Sequence, residues 1–148
     1  MLIAVNAGNS RVLLGGYEED GQVFSASIAT EPKLTRDDYA CKLQQVLLLY
    51  GVNVRRIHGG IVSSVVPSMV GVLEGALRLL GIRDVIEVSS GVKTGLNIRS
   101  EQPRQVGSDR VAAAVAARAK GKLPCVAITL GTATTFTALD QSGALVGS

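Results

Sequence analysis

Tryptophan is absent from this 148-residue chain, and phenylalanine and tyrosine supply only 3% of it. So few flat rings leave little for nucleobases to stack on, and no helix-turn-helix signature appears, so direct nucleic-acid contact is not expected. Cysteine is nearly absent as well. Cys41 and Cys125 lie far apart without metal-ligand spacing and read as reduced core thiols in a cytoplasmic protein. No window approaches the ~18 uninterrupted apolar residues of a membrane span. The N-terminus enters an apolar strand directly, with no basic segment before a long apolar run, so a signal peptide is not expected. Linkers and low-complexity stretches are also missing.

What is present suits an ordinary α/β domain. Hydrophobic residues make up 47% and charged residues 18%, which excludes a disordered chain. A chain of this length buries roughly two thirds of its unfolded surface. The net charge is +3, and it is unevenly spread. Lys93, Arg99, Arg104, Arg110, Arg118, Lys120 and Lys122 face only Glu101 and Asp109 within one segment. Such a patch suits an anionic small molecule or a phosphate, or it is simply a solvated helix face.

Along the chain, residues 2–7 and 11–17 are β-rich runs joined by "GNS", a hairpin signal. "VFSASIA" alternates as a third strand. Thr35 with Asp38 marks a helix start and Gly51 its stop, while Leu43, Val46, Leu47 and Tyr50 give it one apolar face. "GGIVSSVV" reads as a buried strand, and Pro67 as the first turn of a second helix ending at Gly81. "RDVIEVS" is another strand. "GVKTGLNIRSEQP" is a long irregular loop, of the kind that usually carries function. "GSDRVAAAVAARAKGK" is an Ala-rich helix, after which "CVAITLG" and "ATTFTALD" make a second hairpin and a short strand follows "DQSG". The spacing predicts a five-stranded mixed sheet with a three-strand meander, helices near 36–50, 68–80 and 106–120, and the start of a second sheet over 124–148.

One pattern is written twice. "AVNAGNS" begins at residue 4 and "AITLGTA" at residue 127, each a strand running into a glycine turn followed by small polar residues. Repeats are weighed before local motifs. A glycine turn lets backbone N–H groups approach a phosphate, and hydroxyl or amide side chains add donors. Two such hairpins can clamp a polyphosphate, although coincidence also produces glycine hairpins. "QVGSDR" is the third piece. Asp109 at a helix start serves either as a cap or as a general base toward a substrate hydroxyl, and Arg110 offers a planar fork for a carboxylate.

The segments "AVNAGNS", "SSVVPS", "GVKTGLNIR", "PRQVGSDR" and "LGTATTF", in this order and nearly end to end, resemble the type III pantothenate kinases. These bacterial enzymes use ATP to phosphorylate pantothenate at the first committed step of coenzyme A synthesis. The resemblance implies an actin-like (ribonuclease H-like) fold, with a first domain over 1–118 and the start of a second over 119–148, whose remainder is absent. It implies a homodimer, or a heterodimer with a homologous chain, and it implies ATP, magnesium and a monovalent cation, potassium or ammonium. Asp109 stands at the catalytic aspartate. Ser100, Gly107, Ser108, Asp109 and Arg110 match the pantothenate-binding positions. Asn6, Ala7, Gly8, Asn9, Ser10, Arg11, Val12 and Leu13 match the first phosphate loop, and Gly131 and Thr132 match the nucleotide contact on the second.

Three positions depart from the family pattern. Asn6 and Thr129 replace the aspartates of "DxGNT" and "DxGTATT", so Thr129 stands at the cation-ligand position without a carboxylate. Ser100 replaces a tyrosine. Beside the kinase reading stands an alternative: a non-catalytic homologue that acts as a partner subunit or a regulatory binding protein.

Overall fold

Leu2–Ala7 (β1) and Arg11–Glu18 (β2) pair antiparallel, from Leu2 opposite Tyr17 to Ala7 opposite Val12. Alternation decides which face is buried: Ile3, Val5 and Ala7 point into the core while Leu2 and Asn6 face outward. Gly21–Ala29 (β3) returns along β2 and completes the meander. Gly59–Ser64 (β4) lies parallel to β1, and Val85–Glu87 (β5) parallel to β4, so the sheet order is β3-β2-β1-β4-β5. This is the expected mixed sheet, and β1 is its central strand.

The computed structural model describes all 148 residues, which divide into two compact units, Met1–Glu87 and Val88–Ser148. In the first unit, helix Arg36–Leu49 (α1) is opened by a capping box in which Thr35 and Asp38 satisfy each other's backbone N–H. Helix Pro67–Leu79 (α2) starts with proline at its first turn, where the missing N–H costs nothing. The two helices pack on each other and α2 packs on β4. Tyr39, Leu43 and Leu47 of α1 meet Met69, Leu73 and Leu77 of α2 in one cluster with the inner face of the sheet. Each fully buried Leu contributes roughly 1.5–3 kcal/mol.

The second unit is thinner. Helix Ser108–Ala119 (α3) packs against Cys125–Leu130 (β6) and Thr134–Leu139 (β7), and Leu145–Gly147 (β8) completes a separate sheet of order β6-β7-β8. Its core is Val88, Val106, Val111, Ala114, Leu139 and Leu145. The outer face of this sheet leaves Val126, Ile128, Leu130 and Phe136 exposed. No helix of the structure is long and apolar enough to cross a membrane.

One expectation needs adjustment. Cys41 is not a core thiol: it lies on the exposed side of α1, one residue past buried Ala40, and Cys125 is only half-buried; both are free. Within the second unit, α3 spends its small apolar face, Val111 and Ala114, on that unit's core.

Candidate functional site

The first glycine turn is a tied loop. Gly8 N–H donates to Arg11 O at 2.9 Å, Thr30 Oγ1 donates to Gly8 O at 2.8 Å, and Thr30 N–H donates to Ser10 O at 3.0 Å. Asn6, Asn9, Ser10, Arg11 and Leu13 are exposed, whereas Ala7 and Val12 are fully buried in the core. Ala7 and Val12 can therefore offer a ligand only backbone atoms.

In the second unit the turn after β6 carries Gly131 and Thr132, both exposed, and Gly131 N–H donates to Ala133 O at 3.3 Å. Thr129 sits on β6 opposite Thr135 and is exposed. The two hairpins are alike in plan but not identical. The last register pair is Ala7 with Val12 in one and Leu130 with Thr134 in the other, so the second turn is one residue tighter.

The "GSDR" segment opens α3. Gly107 is its N-cap, with no side-chain capping bond, and Ser108, Asp109 and Arg110 form the first turn. A Cβ added to Gly107 would lie 2.5 Å from Asp109 Oδ1, so the carboxylate folds back over its own N-cap. Asp109 is half-buried, and no hydrogen bond or ion pair engages its carboxylate. It therefore faces the positive end of the helix without acting as a hydrogen-bonded cap.

Beside it lies a cavity of about 430 Å³ walled by Ser100, Glu101, Gln105, Arg110, Val146 and Ser148, among others. Arg110 Nη1 donates to Ser148 Oγ at 3.3 Å. The Ser100 hydroxyl is buried with no partner, as is that of Thr137. Ser100 and Arg110, both anticipated, thus share one wall system, while Asp109 is not part of the lining. Glu101, Gln105 and Ser148 were missed. The long loop signalled Glu101 by its length, but Gln105 falls in the short 3-10 turn Pro103–Gln105 after it, and no local pattern links Ser148 to either.

Residues 2–148 match the family profile of type III pantothenate kinase. A curated type III pantothenate kinase from Geobacter sulfurreducens is 35% identical over 148 residues, covering 99% of this chain and 58% of the relative. The chain belongs to the type III pantothenate kinase family. It spans 58% of that relative's length.

The fold agrees. A putative 2-dehydro-3-deoxygalactonokinase from Sinorhizobium meliloti superposes with TM-score 0.55 at 14% identity, covering 99% of this chain and 52% of that one. A putative N-acetylglucosamine kinase from Porphyromonas gingivalis gives 0.52 at 15% identity, with coverages of 95% and 44%. YeaZ from Pseudomonas aeruginosa gives 0.51 at 17% identity, with coverages of 99% and 64%. At these identities the likeness concerns the fold, the actin-like α/β architecture of sugar kinases.

Against the type III pantothenate kinase pattern, the loop positions offer an amide at Asn6 and a hydroxyl at Thr129 where a divalent cation favours carboxylate. No group of three or more His, Cys, Asp or Glu side chains is arranged to hold a metal ion. These loops do not fit as charged protein ligands for magnesium or a monovalent cation.

Proposed function

We propose that the protein transfers the γ-phosphoryl group of ATP to pantothenate. The observation that carries this reading is the Asp109 carboxylate: half-buried, unpartnered, at the start of α3, and next in sequence to the cavity residue Arg110. Asp109 accepts the proton of the pantothenate hydroxyl as its oxygen attacks the γ-phosphorus, and the bond to the ADP oxygen breaks. Arg110 pairs with the pantothenate carboxylate through its planar fork. The Ser100 hydroxyl gains the partner it lacks in the free protein. Small polar side chains of the Gly131 turn, in the same unit as Asp109, hold phosphate oxygens.

The same reading includes ATP binding, magnesium carried in by the nucleotide, a cytoplasmic location, and a dimer with itself or a homologous chain. The test is ATP-dependent phosphorylation of pantothenate by the wild type and by Asp109→Asn, with and without a homologous chain. Wild-type turnover that collapses in the variant while the fold persists supports the assignment. Unchanged turnover leaves Asp109 a helix-dipole group only.

A further inference from the structure

Loop 88–102 has neither helix nor strand, yet part of it is built into the second sheet. Ile98 forms a parallel bridge to Leu145, with Arg99 N–H donating to Leu145 O at 2.8 Å and Leu145 N–H donating to Asn97 O at 2.9 Å. The residues that follow these two segments, Ser100 and Glu101 on one side and Val146 to Ser148 on the other, are walls of the cavity. Whatever sets the bridge therefore sets the spacing of the walls.

Asp140, in the turn between β7 and β8, touches both sides of that bridge. Its Oδ1 accepts from Ser142 N–H at 2.8 Å, Ser142 Oγ at 2.6 Å and Ala144 N–H at 3.0 Å. Its Oδ2 pairs with Arg99 Nη1 at 3.4 Å. One oxygen thus holds the turn that delivers Leu145, and the other holds the residue next to Ile98. Arg118 of α3 adds a second tie, donating from Nη1 to Gly95 O. Gly143 beside the turn has φ +77, and an added Cβ would lie 3.2 Å from Arg118 Cδ. The loop is thereby fastened to the helix that also carries Arg110, and the turn lies close against Arg118 of that helix.

We infer that Asp140 is a positioning residue for the cavity between Ser100 and Arg110, its carboxylate fixing the distance between the 97–101 and 145–148 walls. The inference rests on the proposed use of this cavity, but the geometry it asserts can be measured without any ligand. An exposed Arg–Asp pair alone contributes little. The weight falls on the three hydrogen bonds to Oδ1, which are charge-assisted and so stronger than neutral ones.

The experiment compares wild type, Asp140→Asn, Asp140→Ala and Arg99→Gln in the full chain. It reads amide hydrogen exchange at Arg99 and Leu145, amide chemical shifts over 101–102, 104–106 and 146–148, and affinity for pantothenate. Asp140→Ala is expected to speed exchange at both amides and weaken pantothenate each by roughly tenfold, the scale of losing hydrogen bonds to a charged group. Asp140→Asn, which keeps an oxygen acceptor, should recover part of both, and Arg99→Gln should have the smallest effect. Unaltered exchange and wall shifts in Asp140→Ala would overturn the inference, and so would faster exchange with unaltered pantothenate affinity. A wild type that takes up no pantothenate refutes the substrate reading alone, because exchange and wall shifts still decide the role of Asp140.

Discussion

The hairpins β1–β2 and β6–β7 share a sequence pattern and a plan, and they end in opposite environments. On β1, Ile3, Val5 and Ala7 are buried to 1% exposure or less, whereas on β6 no residue is fully buried and Leu130 is 81% exposed. The cause is position. β1 is flanked by β2 and β4 in the middle of five strands, while β6 is an edge strand of three. The inner face of the first sheet lies in a seventeen-residue apolar cluster shared with both helices, and the second unit's cluster has six residues. The same strand-and-glycine motif is thus a core element in one unit and a surface element in the other. The second unit, with less core, carries Asp109, Arg110 and the cavity.

Four measurements sharpen or break this contrast. The largest expected effect is on chemistry. Asp109→Asn should lower phosphoryl transfer by roughly 10²–10⁴-fold, the usual worth of a general base, with an unchanged melting temperature. A variant that melts much earlier would show Asp109 to be structural.

Next is core truncation, one fully buried leucine per unit. Leu43→Ala between packed helices should cost about 3–5 kcal/mol, and Leu145→Ala in the thinner cluster nearer 2 kcal/mol, because a looser site collapses more easily around the cavity. Chemical denaturation measures both, and equal costs would erase the difference between the cores.

The third compares the turns directly. Restoring the family acids, Asn6→Asp and Thr129→Asp singly and together, should raise magnesium-dependent ATP affinity. A new charge near a cation at partly exposed sites is worth about 1–4 kcal/mol at 4 Å, so tenfold in the double variant is a fair minimum. Calorimetric titration with and without magnesium and potassium reads it. Tight, potassium-stimulated binding by the unmodified chain would show that other groups already do this work.

The smallest effect is in acid. Each unit has one carboxylate held below its ordinary 3.8: Asp38 chiefly by the backbone N–H and then the hydroxyl of Thr35, Asp140 chiefly by the Ser142 hydroxyl and then Ala144 N–H. A depressed native value means that the unfolded chain binds these protons more readily. The stability from each group is therefore fully present above the unfolded value and is lost as the pH falls through the native one. Melting curves between about pH 6 and 2 should flatten slightly in Asp38→Asn and in Asp140→Asn. An unchanged acid slope in both would remove the two carboxylates from the account.

Much of the fold was legible because local signals agreed with one another. Thr35 with Asp38 and Pro67 placed helix starts within a residue, and β-rich or buried runs bounded by turn signals placed the strands of both sheets. The glycine repeat located both turns, and "GSDR" located the start of α3. The cavity was only half legible. Ser100 and Arg110 came with the motif, but Ser148 joins Arg110 across 38 residues and Asp140 joins Arg99 across 41, and no periodic pattern spans such distances.

By itself, the sequence determined the elements, the family and the missing acids at Asn6 and Thr129, because periodicity, caps and motif residues act within a few positions of one another. Only the tertiary structure decided which copy of the hairpin is buried, that Cys41 is exposed, that α3 joins the second sheet, and that Asp109 has no hydrogen-bonding partner. Those outcomes depend on which strand is central and on what packs over it. Burial is a sum over neighbours distant in sequence, and the chain does not write that sum down locally.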